Sequence, residues 1–145
     1  MTDDRLPTVL VHTDGAARGN PGPAGAGAIL TTPEGEVVAE IAEGLGETTN
    51  NVAEYTAVIL GLERAAALGA REVTVRTDSQ LLVQQLAGRY RVRAAHLQPL
   101  FRRVRELAAS FDRVRFEHVP REANAEADRL ANAGVDAWLA GRADA

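Results

Sequence analysis

Apolar positions in the first third of the chain run together or alternate at strand length. Thr8 to Thr13 is a β-rich run holding Val9, Leu10 and Val11, and it ends at the turn signal Asp14-Gly15. Gly19-Asn20-Pro21-Gly22-Pro23 reads as a loop, because proline cannot donate to a strand ladder and glycine permits tight turns. Ala24 to Leu30 and Glu36 to Leu45 read as two further strands, joined by the turn Thr32-Pro33-Glu34-Gly35. Three strands in succession with short links predict an antiparallel meander.

The period then changes. Val52, Tyr55, Ile59, Leu62 and Ala66 recur at steps of three and four, which predicts an amphipathic helix closing near Gly69. Glu72 to Thr77 is a short strand, and Ser79 to Leu86 a short helix ending at Gly88. Ala94 to Ser110 reads as helix, with Leu97, Leu100, Val104 and Leu107 as its apolar stripe. Val114, Phe116 and His118 alternate as a fifth strand, and Ala125 to Leu139 closes the fold as a helix. A meander followed by crossover units implies an α/β fold: a five-stranded mixed sheet flanked by helices.

Composition narrows the chemistry. A chain of 145 residues suits one domain, and the absence of cysteine excludes a disulfide scaffold, a thiolate metal site and a thiol nucleophile. No apolar run approaches the roughly 20 residues that span a membrane, and Met1-Thr2-Asp3-Asp4-Arg5 lacks the features of a secretory signal. The expected location is therefore cytoplasmic, and the default state a monomer. The net charge of −4 hides a gradient: residues 1–63 carry two Arg against ten acids, and residues 64–121 carry twelve Arg against five. An acidic half beside a basic stretch suits a protein that holds both metal ions and phosphates, although solvated helix faces would look the same.

Four acids fall at the boundaries of predicted elements: Asp14, Glu54, Asp78 and Asp128. Each has an ordinary explanation. Asp14-Gly15 is a common turn, and Asn51-x-x-Glu54 has the spacing of a capping box. Asp78-Ser79 can cap the next helix, and Asp128 sits where a helix N-terminus favours negative charge. Together they say more. If the first and fourth strands are parallel neighbours, Asp14 and Asp78 end side by side at the carboxyl edge of the sheet. Glu54 and Asp128, near helix starts, can lean over the same spot. Four converging carboxylates repel one another unless cations compensate, and hard oxygen donors select Mg²⁺ or Mn²⁺.

The motifs that carry these acids resemble the ribonuclease HI family. They are Asp14-Gly15 with Gly19-Asn20-Pro21-Gly22-Pro23-Ala24-Gly25, Thr48-Thr49-Asn50-Asn51-Val52-Ala53-Glu54, Thr77-Asp78-Ser79-Gln80, and Asn124-Ala125-Glu126-Ala127-Asp128, in order from about Val9 to Trp138. The resemblance implies an RNase H-like catalytic domain over residues 9–140, with residues 1–8 as an N-terminal extension and 141–145 as a tail. It implies endonucleolytic cleavage of the RNA strand of RNA–DNA hybrids, leaving 3′-hydroxyl and 5′-phosphate ends. Asp14, Glu54, Asp78 and Asp128 would be the catalytic, metal-holding acids, with two Mg²⁺ or Mn²⁺ ions per site. It places Asn20, Asn50, Asn51 and Gln80 against the minor groove of the substrate, where 2′-hydroxyls distinguish RNA from DNA, and Thr49 on a backbone phosphate.

Three departures from the family pattern bear on function. The loop Pro120-Arg121-Glu122-Ala123-Asn124 lacks the mobile His of many relatives; His118 lies in the strand before it, and Arg121 or Glu122 is the expected substitute. The basic protrusion of longer relatives is absent, leaving Arg89, Arg91 and Arg93, which alternate and would share one face of an extended segment as phosphate contacts, with Tyr90 between them. Ala94 stands where relatives often carry an Asn in a DNA-phosphate pocket. These changes leave two alternatives open: cleavage broadened to double-stranded RNA, and a non-catalytic hybrid-binding module.

Overall fold

The computed structural model describes residues 7–143. Among these residues five strands form one sheet in the order β3-β2-β1-β4-β5. The strands are β1 (Thr8–Ala17), β2 (Gly22–Thr31), β3 (Val37–Thr48), β4 (Glu72–Thr77) and β5 (Arg113–His118). The first three pair antiparallel, and β4 pairs in parallel with both β1 and β5. The helices are α1 (Asn50–Ala67), α2 (Gln80–Leu86), α3 (Gln98–Ala109) and α4 (Ala125–Ala143), with a 3₁₀ turn over Arg121–Asn124. The mixed sheet read from the element order is the one observed.

The meander bears the core because its two faces serve different helices. On one face Val9 and Val11 of β1, Leu30 of β2 and Val73 and Val75 of β4 pack with Tyr55, Val58 and Leu62 of α1 and with Val104 of α3, all buried. The other face of β1–β3 is covered by α4. Small residues dominate β2 on both faces (Ala24, Gly25, Ala26, Gly27, Ala28), so helices approach the sheet closely. A Cβ on Gly27 would lie 2.4 Å from the Ala127 carbonyl oxygen and 2.4 Å from the Ala131 nitrogen of α4. Only glycine permits that contact.

Several boundaries differ from the sequence expectation, each for a local reason. Asp14-Gly15 is not a turn: β1 continues to Ala17, with Asp14 paired to Gly27 and Gly15 to Ala26. β2 begins at Gly22 and runs through Pro23, whose carbonyl still accepts a bond from the Arg18 amide. α3 starts at Gln98 rather than Ala94, because Pro99 has no N–H to continue a ladder from the preceding turn and is tolerated only in the first turn of a helix. α4 runs past Leu139 to Ala143, and Arg142 on that last turn pairs with Glu47 of β3 and stacks over Trp138.

Candidate active site

The sheet changes character at β1. Its antiparallel partner β2 follows it to Ala17, but pairing with parallel β4 ends at His12 opposite Arg76. Two residues further on come Asp14, still inside β1, and Asp78, just past the end of β4, where the parallel pairing has run out and the strand order switches. Asp14 is 8% exposed and accepts a 3.0 Å bond from the Gly15 amide. Asp78 is half-buried, between the end of β4 and α2.

Glu54 reaches this place because α1 lies directly on β1. A Cβ on Gly15 would lie 2.3 Å from the Glu54 nitrogen, so the absence of a side chain lets the helix backbone touch the strand. The capping-box reading of Asn51 and Glu54 is not what forms. Thr49 is the N-cap, its hydroxyl accepting from the Val52 amide at 3.2 Å, and Asn51 already lies inside the helix. Glu54 is thereby free to face the strand ends. Its carboxylate accepts from the Asn50 side-chain amide at 2.9 Å, and the nearby Ser79 hydroxyl favours its charged form. Ser79 caps α2 by accepting from the Leu82 amide, so the residue beside Glu54 also starts the helix after Asp78. Its second role is not legible from Asp78-Ser79 alone.

Asp128 arrives from the opposite face of the sheet, in the first turn of α4, and its side chain is exposed. Asn132 donates to its backbone carbonyl at 3.0 Å. The four acids therefore come from four elements to one edge. The Asp14 carboxyl is pushed up to about 8, first by burial, then by the charge of Asp78, a hydrogen bond and charge from Asp128, and the charge of Glu54. Burial also raises Glu54, against the opposing bonds from Ser79 and Asn50. Among the described residues no three acid or histidine side chains already stand in ligating geometry. The carboxyls feel one another's charge without forming a closed cage. An all-oxygen donor set of this kind, with one member whose charge is opposed first by burial and then by its neighbours, suits a divalent hard cation that would offset both.

The candidate substrate residues gather mostly at the same edge. The side-chain oxygen of exposed Asn20 accepts from the Asn50 amide at 3.1 Å, joining the β1–β2 loop to the start of α1 beside Thr49. Asn51 is exposed on the first turn of α1, and Gln80 is exposed as the first residue of α2. The arginines divide. Arg89 and Arg91 line a groove of about 460 Å³ with Tyr90, which is 56% exposed, and with Gln98, Phe101 and Arg102. Arg93 is exposed but outside that lining, so the alternation does not bring all three onto one feature. Arg102 of α3 takes the place in the groove; it lies one helical turn beyond Gln98, a spacing visible only once α3 is known to begin there. Among the described residues none of Arg89, Arg91, Arg93 and Arg102 has a carboxylate partner. Ala94 is half-buried, its carbonyl accepting from the Leu97 amide. His118 ends β5, exposed and opposite Thr77. Arg121 and Glu122 share a depression of about 350 Å³ with Ala125 and Asp128.

Comparison with known proteins agrees with this fold. Residues 12–134 match the model of the reverse transcriptase-like family. The ribonuclease HI of Halobacterium salinarum is 44% identical over 133 residues, covering 92% of this chain and 67% of that protein. A bifunctional protein of Mycobacterium tuberculosis is 47% identical over 130 residues, but the chain spans only 36% of its length. Among solved structures, ribonuclease H1 of H. salinarum superposes with a TM-score of 0.86 at 44% identity, over 89% of this chain and 98% of that one. A compost-derived ribonuclease H1 in complex with an RNA/DNA hybrid superposes equally well, at 42% identity over 90% of this chain and 99% of that one. With the sheet order and these relatives in agreement, the chain belongs to the ribonuclease HI family.

Proposed function

We propose that this chain hydrolyses the RNA strand of RNA–DNA hybrids, with residues 9–140 as the catalytic unit and Asp14, Glu54, Asp78 and Asp128 holding two Mg²⁺ or Mn²⁺ ions. The observation that carries the reading is the meeting of these acids at the strand-order switch, with Asp14 held protonated near neutral pH by burial and by its three neighbours. Such ions, when bound, supply Lewis acidity that activates a water and stabilises a departing oxygen. The remaining roles fall to the chain itself. Asp14, in the ladder, is the rigid member, and Glu54 is held by the side-chain amide of Asn50. Asn20, Asn50, Asn51 and Gln80, at the loop and helix starts around the acids, would read a minor groove and its 2′-hydroxyls, with Thr49 at a phosphate. Water attack on phosphorus breaks the bond to the 3′ oxygen, which leaves as a hydroxyl once protonated. Arg121 and Glu122, bordering Asp128, stand in for the loop His of relatives in that proton traffic. Arg89, Arg91 and Arg102, with Arg93 nearby, supply sequence-independent phosphate contacts.

The test is a strand-labelled hybrid incubated with the purified chain and Mg²⁺ or Mn²⁺, with double-stranded RNA as competitor. Cuts confined to the RNA strand, abolished by Asp14→Asn and by Asp78→Asn in folded protein, support the reading. Binding without cleavage in either metal refutes it in favour of a hybrid-binding module, and equal cutting of double-stranded RNA refutes its substrate choice.

A further inference from the structure

Asn124 is 1% exposed and lies at the end of the 3₁₀ turn that leads into α4. Its side-chain amide donates to the carbonyl oxygen of Thr13 at 2.9 Å, across 111 positions of sequence. Its own oxygen is buried with no hydrogen-bond partner. An amide half satisfied in the interior is costly, and an apolar residue would fill the space without that cost. The residue present is therefore one whose donor has a task.

The task is visible in what the bond joins. Thr13 directly precedes Asp14, and it stands one residue past the point where pairing of β1 with β4 ends. Asn124 thus supplies a donor to a strand carbonyl where the parallel ladder runs out. Asp128 is four residues, one helical turn, beyond Asn124, so the two lie on the same side of the chain entering α4. Close packing at Gly27 sets how near α4 comes to the sheet, but contact between small residues leaves sliding and rotation weakly determined. A directional bond one turn from Asp128 and one residue from Asp14 removes that freedom.

We infer that Asn124 is a positioning residue that fixes the height and rotation of α4 on β1, and so the gap between Asp128 and Asp14. This rests on the active-site reading above. Asn124→Ala is expected to lower kcat for a hybrid ten- to hundred-fold, the scale on which small misplacement acts, with KM within two-fold. Direct Mn²⁺ titration, read by loss of the free-ion electron paramagnetic signal, is expected to show at least five-fold weaker binding. Asn124→Asp, which keeps the shape and removes the donor, should behave likewise. Val135→Ala, a buried site further along α4, is the control: it should lose stability and keep kcat.

Native kcat and Mn²⁺ affinity in folded Asn124→Ala or Asn124→Asp would overturn the inference, as would a kcat loss in Val135→Ala equal to theirs. Failure of both Asn124 variants to fold would also overturn it, because the residue would then hold the fold rather than the site. An active Asp14→Asn variant would sink the active-site reading itself. An inactive Asp14→Asn beside a fully active Asn124→Ala would sink only this inference.

Discussion

Replacing Gly15 with alanine puts a methyl group 2.3 Å from the Glu54 nitrogen and 2.4 Å from the Ala53 carbonyl carbon. Ordinary contact begins near 3.4 Å, so the shortfall is about 1 Å against two backbone atoms, and no rotamer change can relieve it. Either β1 bends or α1 withdraws. Overpacking of this kind costs about 1–3 kcal/mol. A domain with the usual 5–15 kcal/mol of stability stays folded through such a loss. The catalytic consequence should be larger than the thermodynamic one. Glu54 rides on the atoms that must move, and a 1 Å displacement of a catalytic group is worth about a hundred-fold in rate. The assay pairs urea unfolding with hybrid cleavage at saturating Mn²⁺ and substrate. The expected result is a lowered midpoint with an unchanged slope, and kcat down about a hundred-fold in protein shown to be folded. Gly141→Ala, with open space around the added methyl, should be neutral or slightly stabilising and fully active. A Gly15→Ala protein that is destabilised yet fully active would refute the idea that the approach of α1 places Glu54 for chemistry. One unchanged in both would refute the packing argument itself.

Three further outcomes are expected. Because the Asp14 carboxyl is raised from 3.8 to about 8 in the metal-free chain, its contribution to stability is complete below about pH 4 and is lost as pH rises through about 8. Asp14→Asn should therefore stabilise chelator-treated protein at pH 9 relative to pH 4, by up to about 6 kcal/mol; parallel stability curves for the two proteins would refute this. Thr49→Ala removes the N-cap of α1 and should cost about 1 kcal/mol in urea unfolding, together with a raised KM for hybrid. The double change Arg89→Ala with Arg102→Ala should weaken hybrid binding about equally for all sequences and reduce the salt-dependence slope by about two, leaving kcat within two-fold; an unaltered slope would remove the groove from the interface.

Much of the fold was legible because its elements announce themselves by period. The apolar steps of three and four from Val52 to Ala66 predict α1 almost to its observed end at Ala67. The alternation in Val114, Phe116 and His118 predicts β5. Structure and expectation part where one residue pair supports two local structures. Asp14-Gly15 is a turn by local preference, but β2 offers eight residues of antiparallel pairing that carry β1 through it. Asn51 and Glu54 have capping-box spacing, but Thr49 takes the cap two residues earlier. In the Ala94–Leu97 stretch apolar spacing continues although the helix does not, because Leu97 is buried from the turn rather than from the helix.

The candidate site was legible as a set of residue types and not as a geometry, and the reason is physical. A carboxylate's position in sequence says which element carries it; how near two elements come depends on what lies between them. On this sheet that is decided by glycines on adjacent strands that point to opposite faces. Gly15 admits α1 on one side and brings Glu54 down. Gly27, paired directly with Asp14, admits α4 on the other and brings Asp128 down. A strand has two faces with alternating side chains, so a single acid on β1 can be approached from both only where its own neighbour and its cross-strand partner both lack a side chain. That condition couples the two contacts: a methyl at either glycine should weaken metal binding through a different acid. In the double variant of Gly15→Ala and Gly27→Ala the losses in Mn²⁺ affinity should exceed neither single loss by much, since one displaced acid already opens the set. Fully additive losses would mean that the two helices supply independent binding groups rather than one shared site.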